Sequence, residues 1–482
     1  MDIAFRSARE LAGLIRRRKV SSVELLEHYL ERIARFNPAL NAVIWLDAAG
    51  ARRQARAADR AAAKGEFRGP LHGVPMTIKE SFDVAGAPTT WGDPALKDNV
   101  ATEDSLAVRR LKAAGAVLFG KTNVPLMLAD WQTYNAIYGT TANPWDLARA
   151  PGGSSGGSAA ALAAGLTGIE AGSDIGASIR NPAHYCGVFG HKPTWGICAP
   201  RGHALPGRVA PGDIAVIGPL ARSAADLDVA LAAMAGPDAI DGAGWQLALP
   251  RPRKTEWKQF RVGLMLDDRN SAVDAQVQAR LQALADFLGA RKVRVVDGAK
   301  PDIDTDEAME VYIGLLRSAT SGRQSDAAFA ENMRIAHALK PSDRSYYARM
   351  TRANVLSHRD WLGLNEKRMK MRLKWAAFFE DYDFLLMPAA ASAAFPHDHA
   401  GERHERCILV NGRKVPTTDQ LFWAGYPGVA FLPSTVAPVG FTREGLPVGV
   451  QIVAPAMGDR AAIAFASLLE KHYQGFVPPN GY

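Results

Sequence analysis

Two serines in glycine-rich segments, 24 residues apart, constrain this chain more than any other feature. Residues 152–158 read Gly-Gly-Ser-Ser-Gly-Gly-Ser and contain Ser154, and residues 173–180 read Ser-Asp-Ile-Gly-Ala-Ser-Ile-Arg and contain Ser178. Glycine permits positive φ and a close approach of backbone to ligand, and successive N–H groups in such turns form a concavity that favours negative charge. A serine hydroxyl beside this concavity is placed to attack a carbonyl carbon, so the pair predicts a hydrolytic site.

The composition is that of a globular chain with a large core. Of its 482 residues, 48% are hydrophobic and 22% are charged, which suffices for one large domain or a few smaller ones. The first ten residues lack the apolar stretch of a signal peptide, and no apolar run approaches the roughly 18 residues of a membrane span. We therefore expect a cytoplasmic protein without a membrane partner.

Cysteine usage and charge exclude further classes. Cys186, Cys198 and Cys407 are an odd number without Cys-x-x-Cys spacing, so we expect neither a disulfide framework nor a metal site. The formal net charge is +8, and the densest basic run is Arg-Arg-Arg-Lys at residues 16–19. This run falls at the end of a predicted helix, where cations interact favourably with the helix dipole. We therefore expect no nucleic-acid partner.

Alternating helical and strand patterns predict a single large α/β/α layered domain, residues 1–482, around a mixed, mostly parallel twisted sheet. A capping box at residues 21–24 begins an amphipathic helix that Asn37-Pro38 is expected to end. Residues 306–380 are largely helical and return to a strand at 384–388. We expect this helical insert to cover the active-site cleft.

Three other motif interpretations are possible, one for residues 115–122 and two for the first serine segment. Residues 115–122 match the phosphate-loop pattern, but a helical segment precedes them and their interior is strand-like, which is the wrong context for nucleotide binding. Residues 153–157 match Gly-x-Ser-x-Gly, which would make Ser155 the nucleophile of a Ser-His-Asp esterase, although no buried strand precedes it. A flexible linker is disfavoured because residues 159–165 continue as an apolar helix of small residues. The esterase remains a weaker alternative.

Further ordered blocks accompany the two serine segments. Residues 73–80 read Gly-Val-Pro-Met-Thr-Ile-Lys-Glu, and residues 445–453 read Gly-Leu-Pro-Val-Gly-Val-Gln-Ile-Val. Together with the serine segments these blocks resemble the amidase signature family of serine hydrolases, most densely over residues 70–200, with the 300–415 region variable. The resemblance implies hydrolysis of small-molecule carboxylic amides, and of esters or carbamates by the same chemistry, without a cofactor. A homodimer is left open.

The resemblance places a Ser-Ser-Lys triad on three positions. Ser178 matches the nucleophile, Ser154 the bridging serine after a cis peptide bond at Gly153, and Lys79 the base. Burial disfavours the charged form of a lysine, so a neutral Lys79 would draw the proton of Ser178 through Ser154. The resemblance also implies an oxyanion hole made of the backbone N–H groups of Ile175, Gly176, Ala177 and Ser178.

Two positions depart from the family pattern. Ala177 stands where glycine is usual, so the loop must accept a methyl group, and Ser173 replaces the usual threonine. Neither change removes a reacting atom. Asp174 and Arg180 are expected to hold the loop rather than to react, because an arginine fork suits carboxylates and carbonyls.

Four residues are predicted to form an apolar wall near the acyl site: Met127, Trp131, Tyr134 and Trp423. Such a wall favours aryl or aliphatic amides over charged ones, unless these side chains belong to the core. The alternative function is that of the glutamine-hydrolysing A subunit of a glutamyl-tRNA amidotransferase. Residues 129–135 and 138–144 look more like those of the stand-alone amidases.

Overall fold

Helices and strands alternate along the chain in a computed structural model that describes residues 2–482. The helices within these residues are α1 Ala8–Arg16, α2 Ser22–Leu40, α3 Ala48–Ala63, α4 Leu106–Ala113, α5 Gly156–Ala163, α6 Arg180–Cys186, α7 Ala224–Met234, α8 Ala275–Ala290, α9 Thr305–Ser321, α10 Asp326–Ala338, α11 Tyr346–Asn354, α12 His358–Asp381, α13 Leu421–Gly428 and α14 Asp459–His472. The strands are β1 Val43–Leu46, β2 Pro75–Lys79, β3 Val117–Thr122, β4 Tyr134–Asn135, β5 Gly139–Thr140, β6 Glu170–Asp174, β7 Phe189–Lys192, β8 Val216–Ala221, β9 Arg261–Leu264, β10 Arg294–Asp297, β11 Phe384–Pro388, β12 Cys407–Val410, β13 Arg413–Pro416, β14 Ser434–Phe441 and β15 Pro447–Val453.

The central sheet has eight strands in the order β10-β9-β11-β15-β14-β7-β8-β6. Its mixed character confirms the expected α/β class, but the expectation of mostly parallel strands is wrong. Among its seven neighbouring pairs, only β10–β9 and β9–β11 are parallel. A short turn joins β14 directly to β15, and an antiparallel pair needs only such a turn, whereas a parallel pair needs a long crossover.

A second sheet of three strands, in the order β1-β3-β2, carries the lysine segment. Strand β2 runs parallel to β3, with Lys79 opposite Thr122, and all five residues of β2 are buried. Residues 117–122, inside the phosphate-loop match, are themselves strand β3, and helix α4 precedes them. A phosphate loop would instead follow a strand and open a helix, so the nucleotide interpretation is excluded.

Helix α2 begins at the predicted capping box, in which Ser21 and Glu24 each bond the other's backbone N–H. The expected stop at Asn37-Pro38 is wrong, since the helix continues to Leu40. Pro38 lies in the last turn, where it removes one hydrogen bond of the ladder, and Asn41 caps the helix with a left-handed φ of 50°. The N–H of Asn41 donates to the Asn37 carbonyl at 2.7 Å.

The helical insert consists of α9 to α12, and it packs unevenly on the rest of the chain. Helix α9 has eight buried residues and packs against α11, α12 and α13, whereas α10 has no buried residue. The C-terminal part of α9 and the residues after it reach the cavity beside the serine segments. Among residues 2–482, no helix combines the length and the apolar character that crossing a bilayer requires.

Candidate active site

Two strand ends and two helix starts meet at one place and position the predicted triad. Lys79 is the last residue of β2, and Ser173 lies near the end of β6. Ser154 and Ser178 each lie two residues before a helix, α5 and α6 respectively. The two serine segments are joined directly, because the N–H of Ser155 donates to the Ser178 carbonyl at 3.1 Å.

The side-chain nitrogen of Lys79 lies among three serine hydroxyls. Its Nζ is 2.6 Å from Oγ of Ser154, 3.0 Å from Oγ of Ser155 and 2.9 Å from Oγ of Ser173. No carboxylate within residues 2–482 forms an ion pair with it, and its side chain has no exposed surface. Lys79 therefore has neutral partners only, one of which is the predicted bridging serine.

Burial lowers the pKa of Lys79 from the ordinary lysine value to about 7. Desolvation is the larger effect, and the nearby carboxyl groups of Asp174, Glu80 and Glu170 oppose it only in part. Desolvation also raises the pKa of Glu170 to about 8, so this group is mostly uncharged at neutral pH and attracts the lysine charge weakly. A substantial fraction of Lys79 is accordingly a neutral amine near pH 7.

The first serine segment adopts a backbone that requires glycine. Gly152 has a φ of 84°, and a Cβ on Gly153 would overlap the carbonyl oxygen of Asp130. The Gly153–Ser154 peptide bond is cis, as the resemblance implies. Glycine at these two positions thus allows the chain to turn tightly beneath its neighbours and to present Ser154 to Lys79.

The second serine segment is held by a buried ion pair. Arg180 donates two hydrogen bonds to the carboxylate of Asp174, from Nη2 at 2.9 Å and from Nε at 3.0 Å. It also donates one to the Ala424 carbonyl. Burial alone would raise the pKa of Asp174, but the Arg180 guanidinium and the bonds donated to the carboxylate keep it at about 2. Asp174 also accepts the backbone N–H of Ile179 at 3.1 Å, so the turn around Ser178 is fixed at both ends.

Of the four backbone N–H groups that were predicted to form an oxyanion hole, one has a partner within the loop. The N–H of Ala177 donates to Asp174 at 3.0 Å, so it is engaged within the loop and not directed at a ligand. The N–H groups of Ile175, Gly176 and Ser178 have no acceptor within residues 2–482. Ala177 has a φ of 75°, a region that favours glycine, and its methyl group is buried.

A cavity of about 340 Å³ opens over the serine segments and is lined by Ser154, Ser173 and Ser178. A second cavity of about 220 Å³ also reaches Ser178, and both share Ile175, Leu128 and Arg323 in their walls. Ser155 lines neither of these two cavities and has no exposed surface. Ser178 and Ser154 are therefore within reach of a ligand, and Ser155 is not.

Of the four residues predicted to form an apolar wall, two line a cavity and two do not. Met127 and Trp131 line the smaller cavity, and the indole N–H of Trp131 donates to the Gly176 carbonyl at 2.7 Å. Tyr134 instead stacks on His399, and its hydroxyl accepts a hydrogen bond from Arg406 at 2.8 Å. Trp423 lies in the core with no exposed surface, where it packs edge-on against Phe422.

Several residues that line the two cavities were not predicted from the sequence. His203 and Trp91 line the larger cavity, and Arg317, Arg323 and Arg403 line the smaller one. The sequence contained one indication of Arg317 and Arg323, because both belong to the helical insert that was expected to cover the cleft. It contained none of the other residues' positions. Sequence periodicity does not show which side of an insert faces a ligand.

The histidines argue against the esterase alternative. Nε2 of His203 lies 2.9 Å from Oγ of Ser81, and burial together with the charge of Lys79 lowers its pKa to about 3. No histidine within residues 2–482 hydrogen-bonds Ser154, Ser155 or Ser178. The same residues contain no group of three or more His, Cys, Asp and Glu side chains that could hold a metal ion.

Comparison with known proteins decides the family. The sequence model of the family described as Amidase matches residues 24–463. The chain belongs to the amidase family. It is an amide-hydrolysing enzyme, and the α/β fold with a mixed sheet agrees with this assignment.

The similarity to known amidases extends over nearly the whole chain. It is 35% identical to an indoleacetamide hydrolase of Bradyrhizobium diazoefficiens, over 96% of this chain and 86% of that protein. It is also 35% identical to an acylamidase of Rhodococcus erythropolis, over 96% and 94%. The A subunit of the glutamyl-tRNA(Gln) amidotransferase of Acidothermus cellulolyticus is 31% identical, over 98% and 95%. Among solved structures, an amidase crystal structure superposes with a TM-score of 0.79 at 27% identity, over 97% and 100%.

Proposed function

We propose that this amidase works through an acyl-enzyme on Ser178, with Ser154 and Lys79 relaying the proton. The observation that carries the proposal is the 2.6 Å contact between Nζ of buried Lys79 and Oγ of Ser154, in the wall of a cavity that Ser178 shares. A neutral amine accepts a proton, whereas an ammonium does not, so the lowered pKa of about 7 fits the role of base.

The proposed proton path uses the contact between Lys79 and Ser154 and places Ser178 next in the relay. Lys79 takes the proton of Ser154, Ser154 takes that of Ser178, and Oγ of Ser178 forms a bond to the amide carbonyl carbon. The resulting oxyanion would be received by the free N–H groups of Ile175, Gly176 and Ser178, where losing one donor typically costs about 10²–10³-fold in rate. As the C–N bond breaks, the leaving amine takes the proton back through Ser154. Water then attacks the ester by the same path and releases the acid.

The apolar part of the cavity wall supports aryl or alkyl amides as substrates. Met127, Trp131 and Leu316 provide carbon surface around the approach to Ser178. One relative is named for indoleacetamide, an amide with a large aryl group, which agrees with such a wall. Esters and carbamates stay in the prediction because the same acyl transfer serves them.

The transamidase subunit remains the second candidate, because relatives with that name cover nearly the whole chain. The two candidates differ in their response to glutamine. A stand-alone amidase hydrolyses aryl or alkyl amides without an acceptor, whereas the transamidase component would release ammonia from glutamine for transfer. Glutamine hydrolysis faster than that of 3-phenylpropanamide would overturn the stand-alone assignment.

Labelling with a serine-reactive fluorophosphonate tests the proposed nucleophile. We expect a single adduct on Ser178 by peptide mass mapping, slowed in Lys79→Ala and in Ser154→Ala. Ser155→Ala is the matched control, since its hydroxyl also contacts Lys79 but lines neither cavity. An adduct on Ser155 would favour the esterase alternative and overturn the proposal.

The remaining expectations from the sequence stay predictions. These are a cytoplasmic location, the absence of nucleic-acid, membrane and cofactor partners, and the division into a core of residues 70–200 and a variable region of residues 300–415. The oligomeric state, including a homodimer, is open to measurement by light scattering.

A further inference from the structure

Three arginines line the smaller cavity beside the nucleophile. Arg317 lies on α9, Arg323 follows this helix, and Arg403 comes from the segment before β12. We call these three residues the arginine cluster. The same cavity is lined by Ser178, so a molecule bound in it lies beside both the hydroxyl and the cluster.

Neutral carbonyl groups orient two members of the arginine cluster. Nη1 of Arg323 donates to the Met127 carbonyl at 2.9 Å, and Nη1 of Arg403 donates to the Ala129 carbonyl at 2.8 Å. Both carbonyls belong to residues 127–129, which also line the cavity. These bonds fix the guanidinium groups in place without neutralising them.

The third member of the cluster, Arg317, also has a neutral partner, in this case a hydroxyl group. Nη2 of Arg317 donates to the hydroxyl of Tyr346. In addition, Nε of Arg317 and Nε of Arg403 are buried and have no acceptor within residues 2–482. A buried donor without a partner costs free energy, so these two guanidinium groups are not fully satisfied inside the protein.

The positive charge of the cluster is not balanced nearby. Among residues 2–482, no Asp or Glu forms an ion pair with Arg317, Arg323 or Arg403. Asp130, the one acid in the wall of this cavity, already pairs with Arg406 at 2.7 Å. Although Arg323 is exposed, partial desolvation of its guanidinium and the like charge of Arg208 lower its pKa to about 10, so it stays charged at neutral pH. Three like charges around one cavity favour an anionic occupant.

We propose that the preferred substrate is an amide that carries a carboxylate, which the arginine cluster binds while the amide carbonyl lies at Ser178. This inference rests on the proposed function and adds the substrate class to it. A planar guanidinium matches a carboxylate through two parallel hydrogen bonds, and charged hydrogen bonds are the stronger kind. The sequence predicted uncharged amides from the apolar wall alone. In the structure, the apolar wall contacts the carbon skeleton and the guanidinium groups bind the substituent.

The cavity distinguishes such a substrate from glutamine. Glutamine carries an α-ammonium group beside its carboxylate, and a cation needs an acidic partner. Asp130 is already paired with Arg406, so the ammonium group of glutamine would find no free acid and would be repelled by three guanidinium groups. We therefore expect a simple anionic amide to be hydrolysed faster than the zwitterionic amino acid.

Two matched amides test the proposal: 3-(4-carboxyphenyl)propanamide and its neutral isostere 3-(4-acetylphenyl)propanamide. We expect kcat/KM to be at least about tenfold higher for the carboxylate, as charged hydrogen bonds of this kind supply. The ratio should fall when salt is raised, because salt screens charges near a cavity mouth. This ratio needs no variant, so it does not depend on the folding of a mutant.

The variants locate the effect. In Arg323→Gln and in Arg403→Gln we expect the carboxylate-to-acetyl ratio of kcat/KM to fall by about tenfold, through a higher KM for the carboxylate. Arg334→Gln is the matched control, because Arg334 lies exposed on α10 and pairs with Glu331. We expect no change of ratio there.

Three results would overturn the inference: equal kcat/KM for the two amides, a ratio that neither variant of the cluster changes, or glutamine as the better substrate. Failure of the proposed function would look different. In that case neither amide is hydrolysed, or the fluorophosphonate adduct forms on a residue other than Ser178.

Discussion

The serine segments and the arginine-lined face of the insert border the same cavity but are built in opposite ways. Around Ser178 the charged side chains have internal partners: Arg180 and Asp174 form a fully buried pair, and Lys79 contacts three hydroxyls. On the insert side, Arg323 bonds one carbonyl and no acid, and the residue is exposed to solvent. Chemistry requires fixed geometry, whereas substrate choice requires groups left free for the ligand.

The largest expected effect lies in the serine segments and separates two neighbouring hydroxyls. Ser154→Ala removes the proposed relay between Lys79 and Ser178, and we expect kcat/KM to fall at least about 10³-fold. Ser155→Ala removes only a buried contact, and we expect a loss below about tenfold. Steady-state hydrolysis of 3-phenylpropanamide measures both. Equal losses in the two variants would contradict a special role of Ser154.

A second comparison sets a buried ion pair against an exposed one. Asp174→Asn leaves Arg180 charged, buried and poorly paired, and breaking such a pair destabilises a protein by about 3–5 kcal/mol. Glu331→Gln breaks the exposed pair with Arg334 on α10, and we expect no measurable change in the free energy of unfolding. Chemical denaturation at pH 7 checks both. A small loss in Asp174→Asn would mean that the pair does not hold the serine loop.

The sequence blocks predicted positions that the structure brings together, but they did not predict the cavity walls; the triad itself stays a prediction. Lys79, Ser154 and the cis bond at Gly153 lie where the resemblance placed them, because short ordered motifs fix these positions locally. Trp423 was misplaced because all eight residues of α13 are buried, so its pattern does not show which side faces a ligand. Leu421 of the same helix lines the cavity instead.

Long-range pairing explains the other errors. The strand order of the central sheet joins segments as distant as β7 and β14, and no local pattern indicates whether they run parallel. The arginine cluster was missed for the same reason. Its members come from two segments that meet only in the folded chain, so nothing near Arg317 in the sequence indicates Arg403.

A change in the insert should alter selectivity without altering the chemistry. Leu316→Ala shortens a side chain of the apolar wall and so enlarges the cavity. We expect the preference for a naphthyl over a phenyl propanamide to rise about tenfold, because hydrophobic pockets discriminate substrates by size. The rate of fluorophosphonate labelling at Ser178 should stay within about twofold. A collapse of the labelling rate would show that the insert also supports the serine loop.

The smallest expected effect concerns the methyl group of Ala177. Its φ of 75° is strained for alanine, so Ala177→Gly is expected to raise the free energy of unfolding by less than about 1 kcal/mol. Labelling of Ser178 should be nearly unchanged, because the Ala177 N–H bonds to Asp174 in either case. Denaturation curves of the two proteins measure the difference. A clear loss of stability would show that the buried methyl contributes packing that outweighs the strain.

The pH dependence of acylation tests the central claim most directly. The fluorophosphonate labelling rate of Ser178, measured by stopped reaction and mass spectrometry, should rise as pH increases through about 7, where Lys79 loses its proton. Below this value the rate should fall about tenfold for each pH unit, because only the neutral amine accepts the proton. In Lys79→Ala this pH-dependent rise should disappear, while Ser155→Ala retains it. An unchanged rise in Lys79→Ala would contradict a lysine base.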